Sequence, residues 1–180
     1  MLLLVNGLQC IVLICFITRA QGTIFNLLDA NQYQLLHDVV ENVASASDIL
    51  DIRNDNGITP LMYAVLQGKK AGVEILLKAG ADPLVEGTDG YSPLHGAAFQ
   101  GFADIARLLI DEYKVNPSIM HSDGYTPIHR ACWGSTPGHA DTVKVFIEAG
   151  INVKEERSGQ GYICEEMTEN SGIKSILNAM

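Results

Sequence analysis

The sequence predicts an all-α protein built from repeated pairs of short helices. Three observations carry this. A six-residue pattern recurs at Gly57–Met62, Gly90–His95 and Gly124–His129, with Thr59, Ser92 and Thr126 spaced 33 and then 34 residues apart. Each copy sets Thr or Ser before Pro, then a pair of small residues, then a Gly. Each is followed by a second apolar run. Self-similarity at such a period marks stacked supersecondary units that bury their apolar faces against one another.

Taken in chain order, the first segment differs from all that follows. Residues 1–20 are nearly continuously apolar from Leu2 to Ile17 and end in Thr18-Arg19-Ala20, with no acidic residue before Asp29. This pattern is that of a secretory signal peptide cleaved before Gln21. The run is at the short limit for a membrane span, so a retained anchor is the alternative reading, and a mis-assigned start codon is a third. Residues 21–56 read as a linker and N-terminal capping helices; Tyr33–Val40 is amphipathic but lacks Thr-Pro.

The repeats occupy 57–89, 90–123 and 124–160, and 161–180 is a truncated capping unit that starts at Gly161-Tyr162. Within each, Thr or Ser is placed to cap a helix, and Pro follows where its missing N–H costs nothing. Ala64-Val65, Ala97-Ala98 and Ala131-Cys132 let that helix lie close to its neighbours. Gly68, Gly101 and, after the inserted Ser135-Thr136-Pro137, Gly138 are read as its terminators. Val73–Leu77, Ile105–Ile110 and Val143–Ile147 form the second helices.

Period, T-P-L-H signature, small pair and the closing Ala79-Gly80-Ala81-Asp82 resemble the ankyrin repeat, over roughly residues 30–180. The resemblance implies helix–turn–helix units with projecting β-hairpin loops, stacked into a curved solenoid. It implies that His95 and His129 hydrogen-bond locally and tie adjacent repeats together. It also implies a protein–protein interaction module, with partners meeting the hairpin tips and the exposed side of the first helices.

Those positions here form rows. Ile58, Tyr91, Tyr125 and Tyr162 follow the loop glycines; Asn56, Asp89 and Asp123 precede them, with Gln160 in the same row. Leu66, Phe99 and Trp133 follow the small pairs, with Gln67 and Gln100 beside them. An apolar and aromatic stripe flanked by acidic residues is therefore the expected partner-binding surface, since Tyr and Trp anchor interfaces.

The chemistry of other function classes is missing from the pattern. Twelve Lys+Arg against 21 Asp+Glu, a net charge of -9, disfavours phosphate-backbone binding and adsorption to anionic lipid. A partner is therefore expected to be a protein, with no nucleic acid and no small-molecule substrate, and with membrane only if the N-terminal segment is retained. No cofactor or metal is expected, and the chain is expected to be monomeric. An enzyme using His129 and Cys132, three residues apart, is the other-class alternative; it lacks an orienting group and an oxyanion site. Two further expectations concern packing. Cys132 and Cys164 are expected not to pair, because corresponding positions of stacked helices lie about 8–10 Å apart. Gly72→Ala is expected to stabilise its helix by up to about 1 kcal/mol.

Overall fold

The computed structural model describes residues 24–42, 49–87 and 90–180. The expected leader, residues 1–20, and Asp89 of the expected binding rows lie outside them. Residues 24–29 are helical. They are followed by α1 (Tyr33–Asn42), α2 (Pro60–Leu66), α3 (Lys70–Lys78), α4 (Pro93–Gln100), α5 (Ala103–Asp111), α6 (Pro127–Cys132), α7 (Pro137–Glu148), α8 (Cys164–Met167) and α9 (Ser171–Ala179). No described residue is in a strand, and no helix among the described residues is long and apolar enough to cross a membrane.

The helices form two rows. The inner row stacks α2 on α4, α4 on α6 and α6 on α8; the outer row runs α1, α3, α5, α7, α9. Short inner helices follow from their sequences. Thr59 Oγ1 accepts the Met62 N–H at 3.2 Å and Ser92 Oγ accepts the His95 N–H at 3.4 Å, each beside an N-terminal Pro. A Ser or Thr cap is worth about 1 kcal/mol. Ala64, Ala97, Ala98, Ala131 and Cys132 are fully buried between neighbouring units. The core thus runs lengthwise between the rows, from Ile24 and Leu28 to Ile173 and Leu177.

The hairpin loops are tight turns. In each, one N–H bonds to the carbonyl four residues on: Asn54 to Ile58, Gly87 to Tyr91, His121 to Tyr125 and Ser158 to Tyr162. The glycine between takes a left-handed conformation, φ 71° at Gly57 and 86° at Gly124, which L side chains avoid.

Three sequence expectations are corrected. Cys132 and Cys164 form a disulfide, with Cα atoms 5.5 Å apart. The spacing of about 8–10 Å holds between helix axes, but Cα atoms sit about 2.3 Å off each axis. Two residues on facing sides therefore approach to bonding range, and both cysteines are buried at the α6–α8 contact. Gly72 is a close-approach site. A Cβ there would lie 2.6 Å from Leu28 Cδ2 and 3.4 Å from Tyr33 Cε1, and Leu28 is fully buried. Alanine at this position makes the buried Leu28 side chain shift, a cost that sets itself against the helix gain of about 1 kcal/mol.

Gly138 does not end the inner helix of the third repeat. That helix stops at Trp133, and Gly138 lies in the first turn of α7. The insertion instead repeats the capping motif. Thr136-Pro137-Gly138-His139 opens the outer helix as Ser92-Pro93-Leu94-His95 opens an inner one: Thr136 Oγ1 meets His139 Nδ1 at 2.7 Å, and His139 Nε2 donates to the Phe99 carbonyl at 2.9 Å. A Cβ on Gly134 would overlap the His139 ring, so that ring requires the glycine.

Candidate protein-binding face

The inner row ends in exposed apolar side chains. Phe99 at the end of α4 is 50% exposed and Trp133 after α6 is 43% exposed; Leu66 at the end of α2 is half-buried. Gln67 and Gln100 lie exposed beside them. These positions stay open because the next repeat packs on the preceding small residues, leaving the following side chain to project off the stack. At the hairpins, Tyr162 is 47% exposed, Ile58, Tyr91 and Tyr125 are half-buried, and Asn56, Asp123 and Gln160 are exposed. Of these positions the structure brings together Tyr91, Tyr125 and Trp133, and the Tyr125 hydroxyl donates to Gln160 Oε1 at 2.9 Å.

Arg130 organises the aromatic part of this face, and the sequence reading missed it. Its guanidinium carbon lies 4.8 Å from the Tyr91 ring centroid, 5.1 Å from that of Tyr125 and 4.8 Å from that of Trp133. Three rings from two repeats converge on one cation, an arrangement favoured by the negative ring faces. Tyr125 and Trp133 are themselves in contact, centroids 4.6 Å apart. Arg130 is only 6% exposed, and its charge is met by Asp123, to which Nη2 donates a short bond. Asp123 also faces His121 Nδ1 at 2.8 Å. Burial works to raise the Asp123 carboxyl, but hydrogen bonds from His121, Arg130 and the Tyr125 N–H outweigh it and hold it at about 2. Arg130 Nε is buried with no hydrogen-bond partner. The signal available in the sequence was an arginine directly after the signature histidine, a position turned toward the neighbouring hairpin tyrosines.

The signature histidines have structural work. Ser92 Oγ meets His95 Nδ1 at 2.7 Å and His95 Nε2 donates to the Tyr125 carbonyl at 3.3 Å. Thr126 Oγ1 meets His129 Nδ1 at 2.8 Å and His129 Nε2 donates to the Glu156 carbonyl at 3.3 Å. Each imidazole thus joins its own helix start to the next hairpin loop or its approach. Burial dominates their titration, lowering His95 to about 4 and lowering His129 as well. The His129/Cys132 alternative loses its nucleophile, since the Cys132 sulfur is bonded to Cys164. Among the described residues no cluster of His, Cys, Asp and Glu is arranged to hold a metal ion.

Comparison with known proteins agrees with this geometry. Residues 83–157 match the family described as ankyrin repeats (3 copies), and residues 56–87 match the single ankyrin repeat. The chain belongs to the ankyrin-repeat family. It is 34% identical over 85 residues to the Notch-regulated ankyrin repeat-containing protein B of Danio rerio, covering 47% of this chain and 77% of that one. It is 33% identical over 96 residues to the IkB-like protein of African swine fever virus (isolate Pig/Kenya/KEN-50/1950), covering 53% and 40%. It is also 32% identical over 143 residues to the nuclear factor NF-kappa-B p105 subunit of Gallus gallus, covering 75% and 14%. The chain thus spans less than half the length of the latter two.

The ankyrin assignment accounts for the two-row stack, the capped inner helices and the bridging histidines. Ankyrin repeats are in general non-catalytic interaction modules. The Arg130 cluster and the disulfide are particular to this chain's own residues and go beyond the repeat signature.

Proposed function

We propose that this ankyrin-repeat protein is a non-catalytic recognition module that takes a protein partner along its inner helices and hairpins, and that it acts in the secretory pathway or outside the cell. The observation that carries the first part is the series Leu66, Phe99 and Trp133 at corresponding positions of successive inner helices, the latter two about half exposed and Trp133 packed with Tyr91 and Tyr125 around one arginine. Arg130 pins Tyr91, Tyr125 and Trp133 in place. Rings ordered before binding lose less entropy on association. The relatives whose names mention IkB, NF-kappa-B and Notch regulation support a regulatory protein-binding role.

The Cys132–Cys164 bond supports the compartment, because structural disulfides persist mainly where the environment is oxidising. The leader-like residues 1–20 support it independently. The first part is tested by affinity capture with the wild-type protein, Phe99→Ala and Trp133→Ala. Loss of the captured partner in both variants with unchanged thermal melts is the expected result; undiminished capture refutes the inner-face reading. Sequencing the N-terminus of the expressed protein tests the second part. Gln21, or a residue close to it, is expected, and intact Met1 in a carbonate-resistant membrane fraction refutes it in favour of a retained anchor.

A further inference from the structure

We propose that the Cys132–Cys164 bond is a redox gate on the recognition face: the fourth hairpin docks, and the face is complete, only when the two sulfurs are joined. This rests on the inner-face reading and adds a condition to it.

The fourth unit lacks what fastens the others. Ile163 stands where Thr59, Ser92 and Thr126 stand, and it has no side-chain oxygen with which to cap a helix. Cys164 stands where Pro60, Pro93 and Pro127 open the earlier inner helices, so the fixed φ of proline is missing too. Glu166 takes the place of His95 and His129 and reaches back to the Ile163 N–H at 3.0 Å. α8 is a single turn, and a helix that short does not hold itself in water. Every residue of α6 is buried, whereas in α8 Cys164 alone is. The covalent bond therefore does for α8 what cap, proline and buried face do for the helices before it.

Both ends of the bond carry the recognition face. Trp133 directly follows Cys132, and Tyr162 lies two residues before Cys164. The hairpin of Tyr162 also meets the third hairpin: the Gly159 N–H donates to the Gly124 carbonyl at 2.6 Å, and the Tyr125 hydroxyl donates to Gln160 at 2.9 Å. Beyond α8, Asn170 donates to the Gly134 and Thr136 carbonyls, just past Trp133. If α8 leaves α6, Tyr162 and Gln160 leave the face, and Trp133 loses the support behind it.

Both cysteines are buried when joined, so exchange at the sulfurs requires α8 to swing away from α6. A dithiol opens the bond. Its thiolate attacks one sulfur, its second thiol resolves the mixed disulfide, and it leaves as a disulfide while Cys132 and Cys164 become thiols. The reverse exchange, with a disulfide as oxidant, closes the gate.

Amide hydrogen exchange tests this on three forms of the full chain: oxidised, refolded in dithiothreitol, and carrying Cys132→Ala with Cys164→Ala. Without the bond, Gly159 and the amides of α8 should exchange about tenfold faster or more, while α2 to α5 keep their protection. A display library of random peptides, selected on the immobilised oxidised chain, supplies the binding probe. Peptides lost on both Phe99→Ala and Trp133→Ala are retained for the comparison. Their capture should fall about tenfold or more on either bond-free form, because apparent affinity scales with the competent fraction. Dithiothreitol should change nothing further in the double variant. Equal exchange at Gly159 and α8 in all three forms, or capture indifferent to the bond, overturns the gate and leaves the inner face standing. Lost protection throughout α2 to α5 also overturns it, since the bond would then hold the whole stack. A selection with no peptide dependent on Phe99 and Trp133 overturns the inner-face reading itself.

Discussion

Replacing both Cys132 and Cys164 with alanine should destabilise the C-terminal end of the stack by several kcal/mol. The two positions are 32 residues apart in sequence. Cross-linking a loop of about that length removes roughly 3–4 kcal/mol of chain entropy from the unfolded state at room temperature. The location of the bond shapes how the loss is seen. It joins α6 to α8, a one-turn helix without the Pro of the other inner helices. α9 follows α8 and is held through the Asn170 side chain on the Gly134 and Thr136 carbonyls and through Ile173 and Leu177 in the core. In a repeat stack each unit is held by its interfaces with neighbours, and the bond spans the α6–α8 interface. Without the bond, α8 and α9 should fray before the rest unfolds. Urea titration followed by backbone circular dichroism and by Trp133 fluorescence should give coincident transitions in the oxidised protein. In the double variant, or under reductant, the Trp133 signal should shift to lower urea. Identical midpoints with and without reductant, or a mass showing Cys132 and Cys164 as free thiols in the protein purified without reductant, would refute the reasoning.

Stability should fall as pH drops from about 6.5 to about 4. His95 is buried neutral with its titration lowered to about 4, so in that window the unfolded chain binds a proton that the folded chain does not, at a cost on the order of 3 kcal/mol. His129 shifts the same way, and urea midpoints flat across the window would count against these buried bridges. Gly72→Ala should lower the urea midpoint, because crowding Leu28 costs about 1–3 kcal/mol against a helix gain of about 1 kcal/mol; a raised midpoint would mean that Leu28 yields freely. Arg130→Met should release Trp133, seen as a red-shifted emission and stronger acrylamide quenching, with partner capture reduced; an unchanged spectrum would mean that the indole is held by Tyr125 alone.

Much of the fold was legible because each repeat is specified locally. Thr59, Ser92 and Thr126 cap the helices they precede, and Ala97-Ala98 sits where the stack needs small residues. What escaped depended on relations between units. The Cys132–Cys164 contact follows from which sides of two helices face, which spacing along the chain does not give. Gly72 looks like an ordinary helix glycine until Leu28 is seen against it. His139 could have been found, since Thr136-Pro137-Gly138-His139 copies the signature, but an insertion between helices reads as loop. Arg130 was hidden in the opposite way. An arginine beside a core histidine reads as solvated until the tyrosines of two hairpins close over it.

The inner face as the binding surface is tested most directly by amide hydrogen exchange on the oxidised protein, alone and with a captured partner bound. The account predicts added protection in the hairpins around Gly90 and Gly124 and at the C-terminal ends of α4 and α6, at Phe99 and Trp133. The exposed edges of α3, α5 and α7 should remain unchanged. Protection confined to those outer helices, with the hairpins and the Trp133 segment exchanging as in the free protein, would contradict it.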